Sequence, residues 1–264
     1  MRRRGVAGLV LLAAVLLLAF AGPLVSPWRW DETDFTAFRE GPSARHWLGT
    51  TQGGRDVFAL VLRGARRSLV TGLLVAVVST VLAAVAGTVA GVAGGLLDRA
   101  LMWGVDLLLV LPPLLVVAVL APGGGEPLLV PLLAAFLWML TARVVRAATL
   151  SAREREYVLA ARFLGAGAPR VLVRHVLPQV ASLLIVDASL AVGVAIVAEG
   201  GLSYLGLGVR PPDVSLGTII ADGQGAAATW PFGAAAGLLV LIVLAVNLLG
   251  DGLRDVLDPL RDAR

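Results

Sequence analysis

Six long apolar segments run through this sequence, and their length decides what kind of fold the chain can adopt. A helix needs about 20 predominantly apolar residues to cross the hydrocarbon core of a bilayer. Because backbone polar groups find no water in that core, helices and closed barrels are the structures that span it. The segments therefore predict an all-α, polytopic membrane protein with six transmembrane helices. They cover approximately residues 5–25, 69–97, 102–121, 128–142, 180–198 and 232–250.

The amino-acid composition of the chain excludes several classes of function. Only 15% of the residues are charged, whereas a soluble domain carries about a quarter. Every basic residue is arginine and cysteine is absent, which excludes disulfides, cysteine-ligated metals, Schiff-base lysines and the lysine of a phosphate-binding P-loop. Any ATP that drives this protein must therefore be bound by another chain. The net charge of +4 is explained by arginines that set the membrane topology and contact anionic lipid, rather than by binding of nucleic acid.

The distribution of arginines predicts the orientation of the chain. With the N-terminus in the cytoplasm, 14 of the 22 arginines lie on the cytoplasmic side, as the positive-inside bias favours, and both termini are cytoplasmic. Ala19, Phe20 and Ala21 resemble a signal-peptide cleavage site, but the apolar run continues to Val25, which favours a retained anchor. The predicted parts are the N-terminal tip with the first helix (1–25), an extracytoplasmic loop (26–68), a five-helix core (69–250) that contains a second extracytoplasmic loop (199–231), and a cytoplasmic tail (251–264).

A charged helical hairpin (154–178) separates the fourth and fifth apolar runs. Its first arm places Tyr157, Ala160, Ala161 and Leu164 at i, i+3, i+4 and i+7, which forms a compact apolar stripe with room for another surface. Such a stripe predicts docking against a partner protein. The alternative for an arbitrary loop is an amphipathic segment that rests on the membrane. A DNA-binding helix-turn-helix is disfavoured because membrane spans flank the hairpin.

The second arm of the hairpin follows a glycine-rich break at residues 165–167. Proline suits the first turn of a helix, and Ala168-Pro169 is therefore predicted to open this arm. Arg170 and Arg174 share one face at i, i+4. Pro178 is predicted to close the hairpin just before the fifth span.

The hairpin resembles the cytoplasmic loop of the permease subunits of binding-protein-dependent ABC importers. That loop reads E-A-A, three residues, G, nine residues and I-x-L-P. Ala160, Ala161, Gly165 and the pair Leu177-Pro178 occupy the matching positions.

Two departures refine this resemblance. His175 replaces the isoleucine, which resembles the R-H-I-L-P of the peptide/nickel subfamily, and Leu159 stands where the motif has glutamate. Glu156 matches the E-[FY]-V that often precedes the motif in that subfamily. The missing carboxylate removes one expected polar contact with the partner ATPase, while the shape of the hairpin is retained.

Three further blocks resemble the same subfamily. Residues 46–69 are similar to H-x-L-G-T-D-x-x-G-R-D-V…G-A-R-x-S-L, with Thr51 in place of aspartate. Residues 201–223 are similar to L-S-F-L-G-L-G-x-x-P-P…S-W-G, with Leu216 in place of tryptophan, and residues 247–260 to N-L-x-G-D-x-L-R-D-x-L-D-P-R. Together the blocks span nearly the whole chain.

The resemblance implies a type I ABC importer permease in a bacterial cytoplasmic membrane. It implies a homologous second permease chain, two ATP-binding subunits (or one fused chain) and an extracytoplasmic substrate-binding protein as partners, with no cofactor, metal or catalytic residue in this chain. Dipeptides or oligopeptides are the expected cargo, and nickel chelates, haem and glutathione are the alternatives. The residues expected to couple to the ATPase are Glu156, Tyr157, Ala160, Ala161, Gly165, Arg170, Arg174, His175 and Pro178.

Polar residues inside or beside the apolar runs are candidates for the translocation path. Asp106 and Asp187 lie inside such runs, where an acid is a functional candidate. Both lie near a predicted cytoplasmic end, where hydrogen bonds between helices offer a structural explanation. Asp187, Ser203 and Tyr204 are taken as candidates for the path.

Other residues receive structural interpretations. His46 is interpreted as a surface or capping residue rather than a metal ligand. Gly206, Gly208, Pro211 and Pro212 are interpreted as turn formers.

Two other function classes compete with an ABC permease. An ion-coupled secondary transporter needs buried ionisable residues near the midplane and usually an internal repeat, and the sequence offers neither. An intramembrane enzyme needs a catalytic set inside the spans, but none of the predicted spans contains a histidine or a cysteine.

Overall fold

A computed structural model describes residues 3–124, 128–225 and 229–257 of the chain. The predicted all-α fold is confirmed in these ranges, where the β-structure consists of two isolated bridges, Thr33 with Arg55 and Thr50 with Asp56. Half of the predicted tail, residues 258–264 with Leu260 among them, lies outside the described residues. The helices are α1 (Arg3–Val25), α2 (Val57–Ala93), α3 (Gly95–Val110), α4 (Pro113–Gly124), α5 (Leu129–Arg153), α6 (Glu156–Phe163), α7 (Ala168–Val171), α8 (Leu177–Tyr204), α9 (Leu216–Gly225) and α10 (Thr229–Leu257).

Five stretches in the described ranges are long and apolar enough to cross a membrane. The predicted third span is not among them, because residues 102–121 are divided between α3 and α4 at Leu111. Pro112 and Pro113 follow that break, and proline disfavours helical backbone in the residue before it. The count of six spans therefore stays a prediction. The five stretches are Gly5–Val25, Val57–Ala93, Leu129–Arg153, Leu172–Tyr204 and Trp230–Leu257.

Helix α2 begins twelve residues before the predicted span. Asp56 is its N-cap, and the Asp56 side chain accepts a hydrogen bond from the backbone N–H of Ala59 at 2.8 Å. This contact satisfies one of the free N–H groups of the first turn. Arginines 63, 66 and 67 therefore lie on a helix that extends beyond the apolar run.

Glycines allow α2 and α5 to pack closely. A Cβ atom added to Gly87 would lie 2.6 Å from the carbonyl oxygen of Ala142, and one added to Gly91 would lie 2.5 Å from the side chain of Thr149. Small residues of this kind let the backbones of two helices approach closely within a membrane. Gly94 (φ +64°) and Gly95 (φ +61°) turn the chain from α2 into α3.

The main apolar core lies where α1, α2, α8 and α10 meet. Val57, Ala65, Ile196 and Ile242 are completely buried there. The loop of residues 26–56 and helix α9 cover one end of this bundle, which we call the loop end. Helices α6 and α7 lie at the other end, which we call the hairpin end.

The second arm of the hairpin differs from the sequence prediction. Helix α7 continues through a π-helical turn, Leu172–Val176, directly into α8. The prediction that Pro178 closes the hairpin is therefore wrong, since Pro178 lies in the first turn of α8. A proline lacks the backbone N–H and its ring crowds the preceding turn of an α-helix. The wider turn before Pro178 accommodates the ring without ending the helix.

Candidate functional site

A small apolar core fixes the hairpin to the bundle. Val158 on α6 and Val171 on α7 are completely buried against each other, together with Val176 of the π-helical turn and Ala152 at the end of α5. Val92 of α2 packs against the same cluster. The two arms are therefore held as one body that is continuous with α5 and α8.

The opposite face of α6 is exposed and apolar. Phe163 and Leu164 expose 91% and 89% of their surface at the tip, although both are large hydrophobic residues. Tyr157 and Ala160 of the predicted stripe are also exposed, whereas Ala161 is half-buried. A chain that leaves such side chains uncovered presents an interaction surface. We call residues 157, 159, 160, 163 and 164 the hairpin tip.

The position that departs from the family motif lies on this surface. Leu159 exposes 42% of its area at the hairpin tip. Glu156 occupies the first turn of α6, where a negative charge interacts favourably with the helix dipole. The ring of Tyr157 lies beside that of His175, with 6.2 Å between centroids. Arg170, Arg174 and Pro178 are exposed around the same arm.

Gly165 provides the backbone conformation of the hairpin turn. Its φ is +83°, in the left-handed region that glycine adopts most readily. An added Cβ atom would meet nothing within 4 Å. The turn therefore requires glycine for its dihedral angles and not for space.

Arginines of α5 attach this helix to its neighbours. The Arg146 guanidinium donates two hydrogen bonds to Asp98 of α3, at 2.5 and 2.6 Å. Arg143 lies 3.4 Å from Asp106, also on α3. Arg153 donates to the carbonyl of Gly91 on α2 at 2.9 Å. Asp106, one of the acids predicted inside a span, is thus part of an ion pair between helices.

Asp187 lies beside a cavity of about 440 Å³ near the hairpin end. Its carboxylate accepts a hydrogen bond from the hydroxyl of Thr141 on α5 at 2.7 Å. Ser182 and Arg254 line the same cavity. This candidate for the translocation path therefore faces open space that also contains a positive charge.

The other two candidates for the path lie near the loop end, next to an acid that the sequence interpretation missed. Glu199 is completely buried and accepts hydrogen bonds from the hydroxyls of Ser68 (2.8 Å) and Ser203 (2.6 Å). The Ser203 hydroxyl oxygen also accepts from the backbone N–H of Val209 at 3.1 Å. Glu199 follows the last residue assigned to the fifth span, which is why it was overlooked. Ser203 is buried and belongs to this network, whereas Tyr204 is partly exposed.

Glycines shape the turn that follows α8. Gly206 has a φ of +76°, which confirms its interpretation as a turn former. At Gly208 an added Cβ atom would overlap the side chain of Ser203. This turn therefore packs directly on the Glu199 network.

His46 is buried in the loop of residues 26–56, and its interpretation as a surface or capping residue is wrong. Its Nδ1 lies 2.9 Å from the carboxylate of Asp56, and its Nε2 lies 3.4 Å from that of Asp34. The ring stacks on Trp28 with 4.7 Å between centroids. Two carboxylates and an aromatic face satisfy the imidazole, so it needs no contact with water. In the part of the chain that the structure describes, no group of three or more possible ligands has the geometry of a metal site.

Comparison with known families explains this arrangement. Residues 83–262 match the model of the binding-protein-dependent transport system inner membrane component, a segment that includes the hairpin, Asp187 and Glu199. The chain belongs to this permease family. Residues 2–42 of the permease match a second model, the N-terminal transmembrane domain of oligopeptide transport permease C. The expected type I importer permease fold is thereby confirmed.

Curated relatives resemble the permease over almost its whole length. It is 49% identical to the oligopeptide transport system permease protein OppC of Mycobacterium tuberculosis (strain ATCC 25618 / H37Rv) over 263 residues, covering 97% of this chain and 90% of that protein. A putative peptide permease protein of Brucella suis biovar 1 is 40% identical, with coverage of 97% and 87%. OppC of Bacillus subtilis (strain 168) is 35% identical, with coverage of 96% and 84%.

Proposed function

We propose that this permease forms half of the translocation pore of an ATP-driven importer of peptides. The observation that carries the proposal is the hairpin, which combines a buried apolar core with an exposed apolar tip. The relatives named above supply the substrate class, since their names refer to peptides or oligopeptides. Peptides are therefore a better-supported cargo than nickel chelates, haem or glutathione.

The hairpin tip docks on one of two ATP-binding subunits, or on one half of a fused ATPase chain. An exposed Phe163 and Leu164 suit insertion into a cleft of a protein partner. The chain itself lacks lysine and therefore a P-loop, so ATP hydrolysis takes place in those subunits. A homologous second permease completes the pore, and an external substrate-binding protein delivers the peptide.

Closure of the ATPase subunits moves the hairpin, and the hairpin moves the pore. Force reaches α5 through the buried contact of Val158 with Ala152, and reaches α8 because α7 runs into it without a break. The pair between Arg146 and Asp98 makes α3 follow α5. A two-state transition of this kind requires stiff elements whose partner contacts differ between the states.

The hairpin end faces the cytoplasm of a bacterial cell, and both termini lie on that side of the plasma membrane. The loop end then faces outward, where it meets the binding protein. The cavity beside Asp187 opens near the cytoplasmic exit of the path, where its Asp187 and Arg254 offer opposite charges to a peptide.

Reconstitution tests this proposal directly. We would co-express the permease with its second permease chain and ATPase subunits, purify the complex and insert it into liposomes with the binding protein. We expect uptake of radiolabelled tripeptide that requires ATP. Nickel chelates, haem and glutathione would be supplied as competing solutes. Uptake of one of these without peptide uptake, or uptake driven by an ion gradient without ATP, would contradict the proposal.

A further inference from the structure

A cavity of about 470 Å³, lined by both polar and apolar residues, lies at the loop end. Cavities of roughly 300–1,000 Å³ are typical of small-molecule sites. One wall is a turn that contains Thr51, Gln52 and Arg55, and the opposite wall is α9 with Asp222. The cavity is remote from the hairpin tip and from Asp187.

The two charged residues of this cavity do not pair with each other. Among the described residues, neither the Arg55 guanidinium nor the Asp222 carboxylate makes an ion pair within 4 Å or a side-chain hydrogen bond. Burial raises the pKa of Asp222, and the positive charge of Arg55 opposes that rise. Arg55 and Asp222 thus influence each other across the cavity without contact. Opposite charges held apart at a cavity leave both able to bind a ligand.

The wall that carries Arg55 is held in place by backbone contacts. The N–H of Thr51 donates to the carbonyl of Arg55 at 2.9 Å, and the N–H of Arg55 donates to the Thr51 hydroxyl at 3.1 Å. Gly54 completes this turn with a φ of +71°. The side chain of Arg55 therefore starts from a fixed position.

The wall that carries Asp222 is equally well anchored. Ser215 and Thr218 cap the start of α9 through hydrogen bonds between them. Gly217 lies so close to Gly200 of α8 that a Cβ atom would overlap the Gly200 carbonyl. Neither wall is free to collapse onto the other, which explains why the two charges remain separate.

An apolar floor joins the two walls. Leu60, Val214, Ile219 and Pro231 line it, and three of them also belong to the buried core. A ligand that fits this cavity carries a cation, an anion and apolar surface between them. A short peptide with free termini has these three features.

We propose that this cavity binds a short peptide with free termini, with Asp222 facing its ammonium group and Arg55 facing its carboxylate. The proposal rests on the proposed function, since it gives the permease its own contact with the cargo. Peptide binding in this cavity is distinct from recognition of the peptide by the binding protein, which is a separate chain. A free amino acid has the same two charged groups, so length selection has to be measured.

Direct binding to the permease complex tests the site without the binding protein. Radiolabelled trialanine would be titrated against the complex of permeases and ATPases in lipid nanodiscs. Unlabelled trialanine, N-acetyl-trialanine, trialanine amide and alanine would serve as competitors. We expect free trialanine to compete best, because each blocked peptide lacks one charge. Stronger competition by alanine than by trialanine would replace the peptide with an amino acid as the ligand.

Variants assign each charge to its residue. Asp222→Asn should weaken trialanine binding about tenfold or more, as the loss of a charge-assisted contact does, and should abolish discrimination against N-acetyl-trialanine. Arg55→Gln should weaken trialanine binding to a similar degree and should abolish discrimination against trialanine amide. The exposed Arg29, which pairs with Asp31 on the same loop, supplies the control Arg29→Gln, which should bind normally. Binding should also rise with pH as Asp222 ionises, and this rise should disappear in Asp222→Asn.

Several results would overturn the site. Unchanged affinity for trialanine in both variants would exclude these roles. So would a variant that loses discrimination against N-acetyl-trialanine and trialanine amide to the same degree. Loss of binding-protein docking with unchanged trialanine binding would make the cavity part of a protein interface instead. Asp222→Glu keeps the charge and should retain binding, which separates a binding defect from misfolding. ATP-driven tripeptide uptake by a complex that shows no binding here would refute the site and leave the proposed function intact.

Discussion

At the scale of single residues, two buried networks hold the loop end together. Glu199 joins Ser68 of α2 to Ser203 of α8, and His46 joins Asp34 to Asp56. In both cases a polar side chain is removed from water and is satisfied by other side chains, of which Ser68 lies 131 residues from Glu199 in sequence. Removing one partner is costly, because the group left behind stays desolvated.

The Glu199 network gives a stability prediction. Ser68→Ala removes one of its two hydroxyl donors, and we expect a loss of about 1–3 kcal/mol. Chemical denaturation of the purified permease in detergent measures this change. Ser151→Ala, at an exposed position of α5, is the control and should leave the midpoint unchanged. Equal stability of Ser68→Ala and Ser151→Ala would mean that Glu199 does not depend on this contact.

The His46 network gives a prediction about acid. Hydrogen bonds from Thr36 hold the pKa of Asp34 below its ordinary value of 3.8, and contacts with His46 and Arg45 add to this effect. A carboxyl whose pKa is lowered on folding stabilises the fold above its unfolded pKa and loses that contribution as pH falls through the folded value. We therefore expect the loop of residues 26–56 to open at pH values below about 4.

Fluorescence of the loop tryptophans during acid titration measures this opening, since Trp28 stacks on His46. Asp34→Asn lacks one titrating group, so it should be less stable at neutral pH and should lose less stability between pH 5 and 2 than the wild type. Glu32→Gln is the matched control, because Glu32 is exposed and makes a weak contact of 3.3 Å with a backbone N–H. An identical acid profile in Asp34→Asn would assign the transition to another group.

At the scale of secondary-structure elements, backbone geometry decides where helices begin, bend and end. The sequence predicted the break at residues 165–167, because the glycines that form it are a local pattern. Pro178 was interpreted wrongly because whether a proline ends a helix depends on the turn before it, and the π-helical turn at Leu172–Val176 has no sequence signature.

The hairpin turn yields a prediction about Gly165. Its left-handed backbone costs a residue with a side chain about 1–2 kcal/mol, and nothing near it would clash. Gly165→Ala and Gly165→Leu should therefore reduce ATPase co-purification and ATP-driven uptake to a similar degree. Gly104→Ala is the control, since Gly104 also has open space around it but lies within helix α3. Full activity of Gly165→Ala with loss in Gly165→Leu would indicate a steric role instead.

At the scale of the whole molecule, the features that the sequence could not supply are those that join distant segments. Nothing local connects Glu199 to Ser68 or His46 to Asp34. The cavity between Arg55 and Asp222 likewise forms only after α9 packs on α8. The sequence did identify the hairpin and its apolar stripe, because the residues that form them lie in one continuous stretch.

Assembly with the ATPase tests the role of Leu159. This residue is exposed on the hairpin tip, where the family motif has glutamate, so Leu159→Glu should be tolerated. We expect co-purification of the ATPase subunits and uptake within about twofold of the wild type, since exposed substitutions change stability little. Phe163→Glu at the same tip should release the ATPase. Loss of assembly in Leu159→Glu alone would show that the partner has adapted to leucine.

The unbroken path from α7 through the π-helical turn into α8 has a mechanical consequence. Residues 168–204 form one rod of about 55 Å at 1.5 Å per residue, nearly twice the thickness of the hydrocarbon core. If the rod pivots at its centre, each degree of tilt displaces either end by ~0.5 Å in opposite directions. A displacement of the rod at the hairpin end would thus be accompanied by an opposite displacement beside Glu199 at the loop end.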